Sequence, residues 1–172
     1  MLASIGATVA ASYKRGTDPW AGSPFAWIRS ESSRRRGAIG EQLLAGFLAA
    51  RGFGVARSKS SEADLLVNQK RAEIKFSTLW EQGTYTFQQI RDQEYDFVIA
   101  LGISPFDAHC WVMSKTLLKQ HVIGRMGQHT GAKGQDTSWM TFRPETPFVW
   151  LSGCGGRLRD ALTVLRRLAP DV

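Results

Sequence analysis

The run "YDFVIALGI", residues 95–103, limits the fold of this chain more than any other stretch. It is nearly continuous in apolar residues and far too short to cross a bilayer. It has the length and composition of a strand buried on both faces. Such a strand needs cover on two sides, so it belongs inside a sheet layered against other elements. The neighbouring sequence supplies those elements. "HCWVMSK" reads as an adjacent strand reached through the turn "SPFDA". In "GAIGEQLLAGFLAARGF", residues Ile39, Leu43, Leu44, Phe47 and Leu48 share one arc at helical spacing, and Gly52 stops the helix. "KTLLKQHVIG" reads as a second helix, and "GRLRDALTVLRRLA" closes the chain as an amphipathic one with Leu158, Ala161, Leu162, Leu165 and Leu168 inside. "FQQIRDQ" reads as a helical turn or short helix, and "FVWLSG" as a late or edge strand. This order predicts an α/β (α+β) fold with a central mixed β-sheet flanked by helices.

With 172 residues, 43% of them hydrophobic and 22% charged, the chain suits one folded domain rather than two or none. The net charge of +7 favours a polyanionic partner, and it is unevenly spread. Residues 1–36 hold Lys14, Arg15, Arg29, Arg34, Arg35 and Arg36 against Asp18 and Glu31, which is +4 of the +7. They are also rich in Gly, Ser and Pro, and show no sustained period. They read as a basic N-terminal arm or leader ahead of a single domain at 37–172, with "GTDPWAGSPFAW" forming turns around aromatic anchors. Cys110 and Cys154 are the only cysteines and stand far apart, which fits a reducing cytoplasm better than a disulfide framework. His109, His121 and His129 do not fall at zinc spacing with them. No membrane span is expected, and the opening residues lack the basic region of a secretory signal.

The candidate chemistry lies in "SEADLLVNQKRAEIKFS", residues 60–76. Leu65, Leu66 and Val67 precede a polar turn, after which Ala72, Ile74 and Phe76 alternate with Glu73 and Lys75. A two-residue turn at Asn68-Gln69 sets Val67 against Lys70 and Asp64 against Glu73. A four-residue loop sets Asp64 against Lys75 instead. Either register puts Asp64, Glu73 and Lys75 on one face. Opposed carboxylates start about 5 Å apart at Cβ, close enough to converge on a Mg²⁺ ion. A lysine on that face can position or deprotonate a water, or stabilise charge on a phosphorane. Glu41, about 20° outside the apolar arc of its helix, sits at the border between core and solvent. The plain alternative is a solvated strand face with no chemistry.

With "EAD" followed by "AEIK", after a helix carrying "GE" and before "YDFVIAL", the chain resembles the PD-(D/E)XK nuclease superfamily, the fold of many type II restriction endonucleases. The resemblance covers about residues 37–115, leaving 116–172 as C-terminal additions. It implies a restriction-endonuclease-like core and a Mg²⁺-dependent DNA endonuclease, with Mn²⁺ able to substitute. Asp64, Glu73, the carbonyl of Ile74 and Glu41 would bind metal, and Lys75 would position the water. A glutamine on the following helix, Gln88 or Gln89, would support the site. Ala63 stands where the family motif has proline, and no glutamine-tyrosine signature of the exonuclease branch follows the lysine.

DNA backbone contact calls for clustered Lys and Arg, and Arg34, Arg35, Arg36, Arg57, Lys59, Arg91 and Arg143 are candidates. The Gly-rich stretch "GQHTGAKGQDTSW" adds His129 and Lys133, but lacks the ending of a nucleotide P-loop. Trp111, Trp139 and Trp150 lie in apolar runs and are expected in the core. A single site per chain implies a homodimer, a second subunit or sequential nicking. The rival readings are a structure-selective repair or recombination nuclease and a non-catalytic basic nucleic-acid-binding module.

Overall fold

The computed structural model describes residues 1–13, 16–127 and 137–171. His129 and Lys133 lie outside the described residues. The chain opens with helix α1 (Leu2–Tyr13), followed by turns and a short 3-10 helix at Ala26–Ser30. Of the aromatic anchors expected in this stretch, Trp20 is buried and Phe25 packs at the margin of the core, while Trp27 is 53% exposed. Helix α1 departs from the sequence expectation, because "LASIGATVAASY" carries small residues in place of an apolar period.

Helix α2 (Ser33–Ala49) starts before the apolar arc does. Ser32 caps it, accepting from the Arg35 N–H, so the basic run Arg34–Arg36 forms the first turn of a helix, with Arg34 and Arg35 exposed. Its buried residues are Gly40, Leu44 and Leu48, with Leu43 and Phe47 packed at the margin.

Strand β1 (Val55–Arg57) pairs antiparallel with β2 (Leu65–Val67), and β2 with β3 (Lys70–Thr78). The turn between β2 and β3 is the tight one: Val67 faces Lys70, and Asn68 and Gln69 have φ of 46° and 67°. Strand β3 runs parallel to β5 (Phe97–Ile103), which is buried along its whole length. Strand β6 (Ala108–Ser114) returns antiparallel to β5, and β8 (Gly155–Arg157) adds an edge. Among the described residues these form a mixed six-stranded sheet in the order β1-β2-β3-β5-β6-β8. Strands β4 (Tyr85–Ile90) and β7 (Ser138–Phe142) form a separate antiparallel pair.

Helices α2 and α4 (Leu158–Leu168) cover one face of the large sheet, burying Leu44, Ile74, Ile99, Val112, Leu162 and Leu165 together. The β4–β7 pair and α3 (Lys115–His121) cover the other, where Tyr85, Phe87, Val98, Ala100, Trp111, Met113 and Leu118 pack. The fold is a mixed α+β sheet flanked by helices, with β5 inside it.

Two further elements differ from the sequence expectation. Residues 85–90 form strand β4 and not a helical turn, because Tyr85, Thr86 and Phe87 are all buried while Gln88 and Gln89 are both exposed. A register shift between Phe87 and Ile90 breaks the two-residue alternation that would have marked the strand. Val149–Gly153 is a 3-10 helix and not a strand, and the late strands are β7 and β8 instead. Trp111 is fully in the core. Trp139 and Trp150 are half-buried, Trp150 stacking on His121 at 4.9 Å.

Candidate active site

The site follows from where β2 ends. The Asp96 N–H bonds the Arg71 carbonyl and the Leu79 N–H bonds the Ile103 carbonyl, so odd-numbered residues of β3 turn their backbone toward β5. Even-numbered residues face the opposite edge. There β2 pairs only with Lys70–Ala72, and beyond Ala72 no described strand is hydrogen-bonded to that edge. The Asp64 carboxylate takes over at this point. Its Oδ2 accepts the Ile74 N–H at 2.7 Å, where a strand carbonyl would otherwise sit. A strand residue points its N–H and C=O to the same side, so the Ile74 carbonyl opens toward Asp64.

Glu73 and Lys75 project from the face shared with Val98 and Ala100, their partners on β5. Lys75 Nζ donates to Glu73 Oε1 at 2.7 Å, with both side chains nearly buried. Glu41 approaches from α2, which packs on the other face. Gly40 makes this approach possible, since a Cβ there would lie 2.3 Å from the Phe76 ring. Asp64 from the end of β2, Glu73 and Lys75 from one face of β3, and Glu41 from α2 therefore meet around one free strand edge.

Their electrostatics agree with that meeting. Burial pushes the Glu73 carboxyl above the ordinary glutamate range, Lys75 pulls it back through charge and hydrogen bond, and Asp64 adds to the rise. Burial also raises Glu41. The negative charge of Asp64 raises it further, while Arg57 and Lys75 oppose. Charge among the three acids is thus only partly balanced by nearby cations. Among the described residues no group of three or more His, Cys, Asp or Glu side chains already stands at metal-holding spacing. What the edge offers is two facing carboxylates and a backbone carbonyl, with Glu41 behind them. These are hard oxygen donors without imidazole or thiolate, a set suited to Mg²⁺ or Mn²⁺ rather than zinc.

Beside the acids opens a cleft of about 500 Å³, lined by the start of α2, β3 from Ile74 to Thr78, Trp80, Thr86, Gln88 and Gln89. Ile74 and Lys75 belong to both the cleft and the acidic edge, whereas Asp64, Glu73 and Glu41 are not part of the cleft lining. Gln88 and Gln89 reach it from a strand, and not from a helix as the sequence suggests. Arg34 and Arg36 line it, and Arg57 is close enough to Glu41 to lower its pKa. Arg35 turns away to pair with Glu31 at 3.2 Å. Lys59, Arg91 and Arg143 are exposed and are not part of the cleft lining. Sequence reasoning does not single out Trp80, Ser77 or Thr86. Trp80 sits in an irregular connection with no pattern to mark it.

Neither a protein-family model nor a curated protein matches the sequence. Among solved structures the fold is similar to that of a bacterial homing endonuclease, I-Ssp6803I. The two are 15% identical with a TM-score of 0.50, and the match covers 79% of this chain and 92% of that one. At this identity the likeness concerns the fold. Among the described residues no helix is long and apolar enough to cross a membrane.

Proposed function

We propose that the protein is a Mg²⁺-dependent DNA endonuclease of the PD-(D/E)XK type, acting as a restriction-type enzyme or as a subunit of one. The observation that carries this reading is the meeting of Asp64, Glu73 and Lys75 at the open edge of β3. The fold shared with a homing endonuclease supports it.

Asp64, Glu73 and the Ile74 carbonyl would hold the metal, with Glu41 supporting it directly or through water. When bound, such an ion polarises a phosphoryl oxygen and lowers the pKa of a coordinated water. The chain's own groups do the rest. Lys75 holds the attacking water on the cleft side and stabilises negative charge growing on the phosphorane oxygens. Arg34 and Arg36 bind the DNA backbone along the cleft rim. With one such edge per chain, cutting both strands requires two copies, a second subunit or two successive nicks.

The test is incubation of the purified protein with supercoiled plasmid, with and without Mg²⁺, alongside Glu73→Ala and Lys75→Ala. Nicked or linear product that needs the metal and both side chains is the expected result. A protein that binds DNA in a salt-sensitive way but never cuts it would be a binding module instead.

A further inference from the structure

The cleft beside Lys75 has a makeup that backbone contact alone does not explain. Trp80, which lines it, is 48% exposed, while Trp20 and Trp111 are buried. Arg36 also lines the cleft, and its Nε is buried with no hydrogen-bond partner although its Nη2 reaches Ser33 Oγ at 3.3 Å. A buried donor without an acceptor is costly. Gln89, also in the lining, has φ of 56° next to the register shift in β4. A glutamine in the left-handed region is strained, and the strain coincides with Gln88 and Gln89 both standing exposed in the cleft.

An indole face stacks on any nucleobase, guanidinium groups bind phosphate, and carboxamides read the donor and acceptor pattern of a base edge. The three chemistries occur here in one cleft. Its volume, about 500 Å³, is enough for one nucleotide. We propose that this cleft holds one unpaired nucleotide of the DNA, its base against Trp80 within reach of Gln88 and Gln89, and its phosphate against Arg34 and Arg36. This deepens the nuclease reading and rests on it for the identity of the polymer. It narrows the substrate to DNA in which a nucleotide is unpaired or is turned out of the stack on binding.

The experiment measures binding in EDTA, so that no cutting occurs, by fluorescence anisotropy of two labelled duplex pools of mixed sequence. One pool is fully paired and the other carries a single unpaired nucleotide. The expected result is at least tenfold tighter binding of the second pool. Trp80→Ala should remove that preference, and Trp80→Phe should keep most of it. Thermal melts of both variants check that they fold. Equal affinity for the two pools, or a preference that survives Trp80→Ala, overturns the proposal. Because the assay is metal-free, a preference without any later cleavage would sink only the catalytic reading, and cleavage without a preference would sink only this one.

Discussion

Lys75 Nζ lies 2.7 Å from Glu73 Oε1, and the two side chains are only 13% and 11% exposed. Exposed ion pairs contribute roughly 0–1 kcal/mol, but removing one partner of a buried pair costs about 3–5 kcal/mol because a desolvated charge is left behind. Lys75→Met should therefore destabilise the metal-free protein by roughly 3 kcal/mol. Lys75→Met/Glu73→Met should recover most of that loss, as urea denaturation would show. In cleavage assays Lys75→Ala and Glu73→Ala should each lower the rate by on the order of a thousandfold. DNA affinity in EDTA should stay nearly unchanged. Undiminished cutting by both variants would remove the catalytic assignment.

Asp64 has a structural and a proposed chemical task, and one substitution separates them. In Asp64→Asn the side-chain amide keeps an oxygen that can still accept the Ile74 N–H, so the strand edge should hold. The negative charge is lost. With Mg²⁺ at about 100 times its dissociation constant, the wild-type protein should gain roughly 2.7 kcal/mol. Asp64→Asn should gain almost nothing, while melting near the wild-type temperature in EDTA. A full Mg²⁺ shift in the variant, read by calorimetry, would move the metal elsewhere.

Gly40 has a packing role against Phe76. A Cβ at this position would stand 2.3–2.6 Å from Phe76 ring atoms and Cβ, and Phe76 Cβ cannot swing away as a flexible tip could. Alanine normally favours a helix interior over glycine by about 1 kcal/mol. Here overpacking should reverse the sign, so that Gly40→Ala destabilises by about 1–3 kcal/mol and lowers Tm by several degrees. Gly40→Ala that melts above wild type would mean the helix and strand are further apart.

The elements that generate this site differ in how plainly the sequence shows them. Strand β5 is legible because burial on both faces leaves an unbroken apolar run, and α2 and α4 because their faces repeat at helical spacing. The shared face of Glu73 and Lys75 is legible in the strand alternation, and the nearness of Asp64 in the turn length, since Asn68 suits the tight turn that forms. Strand β4 is not, since its bulge puts three buried residues before two exposed ones and its partner β7 lies about fifty residues away. Gly40 looks like an ordinary helix residue, as only the position of Phe76 gives it a reason. The open edge beyond Ala72 is equally hidden, because the length of β2 is set by tertiary pairing and not by its own composition.

Glu41 provides a test in pH. Its carboxyl is raised first by burial and then by the charge of Asp64, against the opposing charges of Arg57 and Lys75. A carboxyl raised in the folded state binds protons more readily there than in the unfolded chain. Its contribution to stability is therefore fully present below the ordinary glutamate pKa and is lost as pH rises through the folded value. In EDTA, then, the wild-type protein should carry at neutral pH a penalty that Glu41→Gln lacks. The variant should melt higher than wild type at pH 7–8, and the difference should shrink as pH falls through and below about 4.5, where both side chains are neutral. Adding Mg²⁺ at neutral pH should narrow the gap from the other side, because a cation on the acidic edge stabilises the charged Glu41 that the variant has given up. Melting curves across pH, with and without the ion, read both effects. If Glu41→Gln melts below wild type throughout, Glu41 is held by cations more strongly than the acids disfavour it, and its place beside Asp64 is wrong.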